Sequence, residues 1–222
     1  MQTRHYLYFF CFLHLGCFKR TVTQIDEVTE DIFFALPQSN PIYLDSNGLT
    51  IKCRGTEVGI RYEIDGKEYE VVDEASLRQK VENEADLTCV CTSNVENMSA
   101  LFEDQGGFNQ NISSWDTAQV TSMNLMFKNA ISFNQNISNW DVSLVTNTSF
   151  MFAGATVFNQ NISKWNTRKA TDMEGMFYQA SLFNHDLSGW CVPLIPSEPT
   201  DFALDSGLLE ENQPSWGNCP NG

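Results

Sequence analysis

From Val95 to Trp190 the sequence repeats itself every 25 residues without a slip. Phe108, Phe133, Phe158 and Phe183 fall in one column, Asn109, Asn134, Asn159 and Asn184 in the next, and Trp115, Trp140, Trp165 and Trp190 in another. The same offset joins Met126 to Met151 and Met176, Phe127 to Phe152 and Phe177, and Ala130 to Ala155 and Ala180. Backwards, it carries Val120, Met123, Met126 and Phe127 to Val95, Met98, Leu101 and Phe102. A period of this length, kept without insertion, restricts a chain to stacked and nearly identical units, which is the pattern of a solenoid.

Within a unit, Phe108-Asn109-Gln110-Asn111-Ile112 alternates as an extended segment does, with Phe108 and Ile112 on one face and Asn109 and Asn111 on the other. Gln110 then points inward with Phe108, and its amide requires a partner, for which the next Gln in the stack is available. Trp115 closes the strand, and Asp116 suits a turn. Val120, Met123, Met126 or Phe127, and Ala130 have the spacing of one helical face. Thr121, Thr146 and Thr171 stand where N-caps belong, and Thr171-Asp172-Met173-Glu174 completes a capping box. Each unit is therefore expected to be a short strand, a turn and a short helix. Neither element buries its apolar face alone, so neighbours must stack. The expected fold class is an α/β solenoid, leucine-rich-repeat-like, of about four such repeats over residues 95–190.

The pattern M-F-x-x-A-x-x-F-N-Q-x-I-S-x-W-D, as in Met126 to Asp141, resembles the BspA-like leucine-rich-repeat surface proteins of bacteria. The resemblance extends over roughly residues 42–219. It implies an extracellular solenoid and a role as an adhesin or binding protein rather than an enzyme. It also implies the ending. The closing motifs of the family, W-C-V, S-E-P and W-G-x-C-P, stand here as Trp190-Cys191-Val192, Ser197-Glu198-Pro199 and Trp216-Gly217-Asn218-Cys219-Pro220. A Cys191–Cys219 disulfide would then close a loop of about 28 residues over the last repeat, worth about 3–4 kcal/mol on the chain-entropy estimate. Residues 191–222 are read as this C-terminal cap.

Net charge is −15, unevenly spread. Between Gln24 and Asn94 there are 15 acidic and 6 basic residues, and after Trp190 five acidic and none basic. Nucleic acid and anionic membrane surfaces would be repelled. Of the 7 cysteines, Cys11 and Cys17 lie in an N-terminal apolar segment, leaving Cys53, Cys89, Cys91, Cys191 and Cys219. There is no C-x-x-C pair, and only one histidine follows the leader, so disulfides in an oxidising compartment fit better than zinc. Cys53 is expected to pair with Cys89 or with Cys91.

Residues 1–23 have a short basic start and an apolar run from Tyr6 to Phe18, too short for a comfortable membrane span and suited to a secretory signal. Leu15-Gly16-Cys17 resembles a lipobox, which would leave Cys17 lipidated as the only membrane attachment, although His14 stands where an aliphatic residue is usual. Alternatively, Thr21-Val22-Thr23 provides the small-residue site, with Gln24 as mature start. Residues 24–41 read as an acidic tether. Residues 42–94 read as an N-terminal α+β cap: Asp65-Gly66 is a hairpin turn between Ile60–Glu63 and Glu68–Val72, and Asp73 opens a helix through Ala75, Leu77 and Val81. Asp45-Ser46-Asn47-Gly48 resembles half a calcium loop, but the remaining ligands are missing and it reads as a plain turn.

Catalytic signatures are absent. No G-x-S-x-G, H-E-x-x-H or Gly-rich phosphate loop occurs. His185 occupies the column of Gln110, Gln135 and Gln160, and Asp116, Asp141 and Asp172 sit at turns where Asp is ordinary. No cofactor is expected. Five N-x-S/T sequons, at Asn97, Asn111, Asn136, Asn147 and Asn161, match the N-glycosylation pattern, and three of them recur because the repeat recurs. A packed core does not require the outward columns Asn109, Asn134, Asn159 and Asn111, Asn136, Asn161. They are either amide ladders or a ligand surface. The expected function is a secreted or surface-displayed module that binds an extracellular protein or glycan through these asparagines. A structural spacer without a ligand is the alternative, and an extracellular hydrolase a distant third.

Overall fold

The computed structural model describes residues 41–220. The leader, Cys17 and nearly all of the acidic stretch lie outside these residues.

The N-terminal part holds the regular secondary structure. Strands β1 (Tyr43–Leu44) and β2 (Ile51–Lys52) pair antiparallel. Asn47 shapes the turn between them, its Oδ1 accepting from the N–H groups of Leu49 and Thr50 at 2.9 Å. β3 (Arg61–Ile64) and β4 (Lys67–Val71) form a hairpin whose two turn residues, Asp65 and Gly66, both have positive φ, the mirror-image turn that matches strand twist. Helix α1 (Glu74–Glu82) follows, opened by a capping box in which Asp73 accepts from Ser76 N–H at 2.8 Å, and it buries Leu77 and Val81. β5 (Val90–Cys91) then pairs parallel with β4. A disulfide joins Cys53 to Cys91, while Cys89 is free and half-buried.

The repeats stack on one another. Parallel bridges link Asn97 to Ser122, Ser122 to Asn147 and Asn147 to Asp172. In the second unit the N–H groups of Met123, Leu125, Phe127 and Asn129 donate to Asn147, Ser149, Met151 and Ala153 of the third, at 2.7–2.9 Å. The intervening N–H groups of Met126, Lys128 and Ala130 donate three residues back within their own unit. Alternate amides therefore build the turn and the stack.

The units contain no helix, contrary to the expected strand-turn-helix repeat. The residues at helical spacing, Met123, Met126, Phe127 and Ala130, are indeed all buried, but on a run of tight turns. The reason is a left-handed residue at every fourth position: Ala100 and Asp104, Leu125 and Asn129, Phe150 and Gly154, Gly175 and Gln179. A helix requires an unbroken right-handed backbone, which these exclude. Thr121, Thr146 and Thr171 cap nothing helical. Each donates its hydroxyl, at 3.1–3.2 Å, to the carbonyl 25 residues before it.

Aromatic columns fill the core. Phe102, Phe127, Phe152 and Phe177 follow one another at 5.4–5.7 Å between ring centroids, and Phe108, Phe133, Phe158 and Phe183 at 5.8–5.9 Å. Within a unit the two rings lie 3.7–4.1 Å apart, nearly parallel. The four tryptophans of the repeat column are at most 5% exposed, and three of their indole N–H groups reach back to the preceding unit: Trp140 to Ile112 O, Trp165 to Ile137 O and Trp190 to Ile162 O, at 3.2–3.3 Å. Burial of each such ring is worth about 1.5–3 kcal/mol, so the aromatic columns dominate cohesion.

Both ends of the stack are finished differently. At the N-terminal end, Arg78 of α1 donates to the carbonyls of Ser99, at 3.0 Å, and Asn97, at 3.5 Å, replacing a preceding unit. Lys52 reaches the buried Asp116 at 2.7 Å and ties the cap to the first unit. At the C-terminal end the stack continues past Trp190, because Gly175, Phe177 and Gln179 donate to Thr200, Phe202 and Leu204. The Cys191–Cys219 disulfide holds this last turn. Among the described residues, the N–H groups of Asp201, Ala203 and Asp205 have no acceptor, and Pro199 has no N–H to offer. Proline and carboxylates at an open edge discourage further pairing.

Candidate functional site

The extended half of each unit lies between a Phe and a Trp: Phe108–Trp115, Phe133–Trp140, Phe158–Trp165 and Phe183–Trp190. Phe, Ile or Leu, and Trp point into the core, leaving Asn109, Asn134, Asn111, Asn136 and Asn161 exposed and Asn159 half-buried. The same alternation that buries the aromatics therefore brings the six asparagines out as two adjacent rows.

The two rows are held by different bonds. Asn109 Oδ1 accepts from Asn134 N–H at 3.0 Å and from the Gln135 amide at 2.9 Å. Asn134 Oδ1 repeats this with Asn159 N–H at 3.0 Å and Gln160 at 2.8 Å, and Asn159 Oδ1 receives Asn184 N–H at 3.3 Å. The first row is thus stitched from unit to unit through its oxygens. The glutamines do not pair with one another, as the sequence suggested they would. Each reaches the preceding asparagine, and Gln110, with no unit before it, binds Leu87 N–H and Ala85 O at 2.7 and 2.9 Å. His185 takes the Gln place, with its Nε2 3.0 Å from Asn159 O.

Bonds in the second row are local. Asn111, Asn136 and Asn161 accept from the N–H groups of Ser113, Ser138 and Ser163 at 3.0–3.1 Å, closing a turn two residues on. Asp186 ends the row in the same way, accepting from Ser188 N–H at 2.9 Å. The Ser188 hydroxyl first, and then that N–H, hold the Asp186 carboxyl below its ordinary range.

A cleft of about 350 Å³ opens at the head of these rows, where the N-terminal cap meets the first unit. Leu49, Ile64 and Tyr69 form its apolar wall, and Asn111, Ser113 and Lys67 its polar one. Sequence reasoning did not find it, because Asn111 and Ser113 lie about forty residues beyond Tyr69 along the chain and only the docking of cap on repeat joins them. A second cleft, of about 360 Å³, lies between Arg61, Glu70, Lys80 and Cys89. Among the described residues no three His, Cys, Asp or Glu side chains gather as metal ligands would, and no helix is long and apolar enough to cross a membrane.

No curated protein and no solved structure matches the chain. A family model does match over residues 72–190, more than half of the 222 residues, running from just before α1 to the last Trp of the repeats. By that match the chain belongs to the family described as "Mycoplasma protein of unknown function, DUF285".

Proposed function

We propose that this protein is an extracellular or surface-displayed repeat protein of the BspA-like leucine-rich-repeat type, its units wound as a solenoid, that binds a macromolecular ligand through the two asparagine rows. The observation that carries this reading is the exposed, regular amide face. Burial of the core accounts for the Phe, Ile and Trp columns, and stitching accounts for the amide oxygens of the first row. Neither accounts for the six side-chain NH₂ groups, from which no group among the described residues accepts. Regular rows suit an extended partner, since each unit adds a similar contact and weak contacts multiply.

Secretion is supported by the two disulfides, which fit an oxidising compartment, and by the N-terminal signal pattern. A net charge of −15 disfavours nucleic acid as the partner. The test is a binding array of extracellular-matrix proteins and glycans with purified protein. Saturable binding that weakens in asparagine-row variants is the expected result. Self-association without any ligand would overturn it and favour the structural-spacer reading.

A further inference from the structure

This inference rests on the binding role above and names the ligand class. Which atoms the face turns outward follows from which are used inside. The oxygens of Asn109, Asn134 and Asn159 accept from the following unit, and those of Asn111, Asn136 and Asn161 from the serine two residues on. Among the described residues no group accepts from the six Nδ2 atoms. The face therefore offers a surplus of N–H donors, with amide oxygens only partly available.

The face is also poor in charge. Its four segments, Phe108–Trp115, Phe133–Trp140, Phe158–Trp165 and Phe183–Trp190, contain Lys164 and Asp186 as their only formal charges, in a chain of net charge −15.

We propose that the face binds an uncharged, hydroxyl-rich glycan chain. Hydroxyl and ether oxygens accept from amide N–H groups, and a hydroxyl can rotate to donate to the remaining lone pair of an amide oxygen. An extended peptide pairs less well, because its own backbone N–H groups would meet donors. A polyanion is repelled by the surrounding acidity. The cleft at the head of the rows gives the chain end an apolar wall, Tyr69 and Ile64, beside Asn111 and Ser113.

Asn→Asp substitution in the second row separates donor loss from misfolding. Asp186 already occupies that row and keeps the same turn, so Asn111→Asp with Asn161→Asp, two units apart, retains the oxygen and removes two NH₂ groups. The probes are soluble mannan, β-glucan and xylan, with heparin, polygalacturonate and unstructured polar peptides beside them, read by affinity electrophoresis. The expected result is binding of a neutral glycan, unchanged melting in the double variant, and affinity lower by about tenfold or more, each hydrogen bond being worth about a factor of five. Asp186→Asn, which adds a donor, should strengthen binding. Peptide binding that the double variant weakens, with no glycan bound, would overturn the ligand class while leaving the face as a binding surface. Glycan binding indifferent to both variants would overturn the site. No probe bound by the wild type would overturn this inference and the binding role together.

Discussion

The ring of Phe150 lies against Gly175, filling the space where any other residue would place a side chain. A Cβ added to Gly175 would come within 2.3 Å of Phe150 Cε1 and 2.5 Å of Cδ1. Both residues have left-handed backbones, and they stand in one column with Ala100 and Leu125. Backbone preference alone does not demand glycine at 175, since Ala100 holds the same φ of 55° in the first unit. The overlying ring does.

Gly175→Ala should therefore destabilise the protein by about 1–3 kcal/mol, the usual cost of overpacking. Phe150→Ala, introduced alongside, should recover part of that loss, because the obstruction is gone. A double-mutant cycle by urea denaturation measures the coupling. Additive effects would mean that the ring and the glycine are independent.

The tryptophan column gives a second expectation. Trp165 is 5% exposed, and its indole N–H donates to Ile137 O at 3.2 Å. Trp165→Phe keeps an aromatic ring in the column and removes one of the two donors to that buried carbonyl, which still accepts from Trp140 N–H, at a cost of about 0.5–1.5 kcal/mol. Trp165→Ala should cost more, about 3–5 kcal/mol, through the cavity it leaves. Thermal melting of the two variants should rank them in that order.

Much of this architecture was legible in the sequence, because side-chain burial follows a period that the eye can count. The Phe108, Ile112, Trp115 and Phe127 columns are all buried. The Asp65-Gly66 hairpin was legible too, since that dipeptide tolerates two positive φ angles in succession. The helix was misread. Met123, Met126, Phe127 and Ala130 have helical spacing, yet a chain of three-residue turns buries the same positions, and nothing in Leu125 or Phe150 announces a left-handed backbone. The last turn was hidden by the loss of most of its column residues. Phe202 does stand 25 residues after Phe177, but the Met176 and Ala180 columns run onto Asp201 and Asp205, and those two left-handed residues follow Gly175 and Gln179 by 26, so the pattern is displaced there by one. The asparagine rows were visible as columns, but whether their oxygens served the stack or a ligand depended on partners in the next unit, which spacing does not reveal.

Arg78 supplies a third expectation, at the N-terminal end of the stack. Its guanidinium also meets Glu74 at 3.2 Å, one helical turn away on α1. Arg78→Met keeps much of the apolar stem while leaving the carbonyls of Asn97 and Ser99 without their donor. A loss of about 1–3 kcal/mol is expected, less where water reaches the freed oxygens. Arg78→Lys should recover only part, as an ammonium lacks the planar fork that spans two acceptors. Hydrogen exchange offers the local readout: amides of the first unit should exchange faster in Arg78→Met, while those near Trp190 stay protected.

The last expectation concerns acid. Glu70 on β4 receives Lys80 at 2.8 Å and Arg61 at 2.9 Å, so strand, helix and hairpin meet on one carboxylate. The hydrogen bond from Lys80 holds its pKa below the ordinary 4.5, with Arg61 acting the same way and partial burial opposing both. A carboxyl that is more acidic folded than unfolded stabilises the fold above its unfolded pKa. That contribution should diminish as pH falls below about 4.5 and vanish once the folded group is protonated. Asp73 and Asp86, lowered by hydrogen bonds from Ser76 and Thr88, act with the same sign from 3.8 downwards. Relief of repulsion in a chain of charge −15 works the other way, so the wild-type slope alone is ambiguous. The difference between wild type and Glu70→Gln isolates the ion pairs. Urea midpoints followed from pH 7 to pH 3 should show the variant less stable at neutral pH and the two converging in acid. A constant gap across that range would mean that Glu70 contributes by packing rather than by charge.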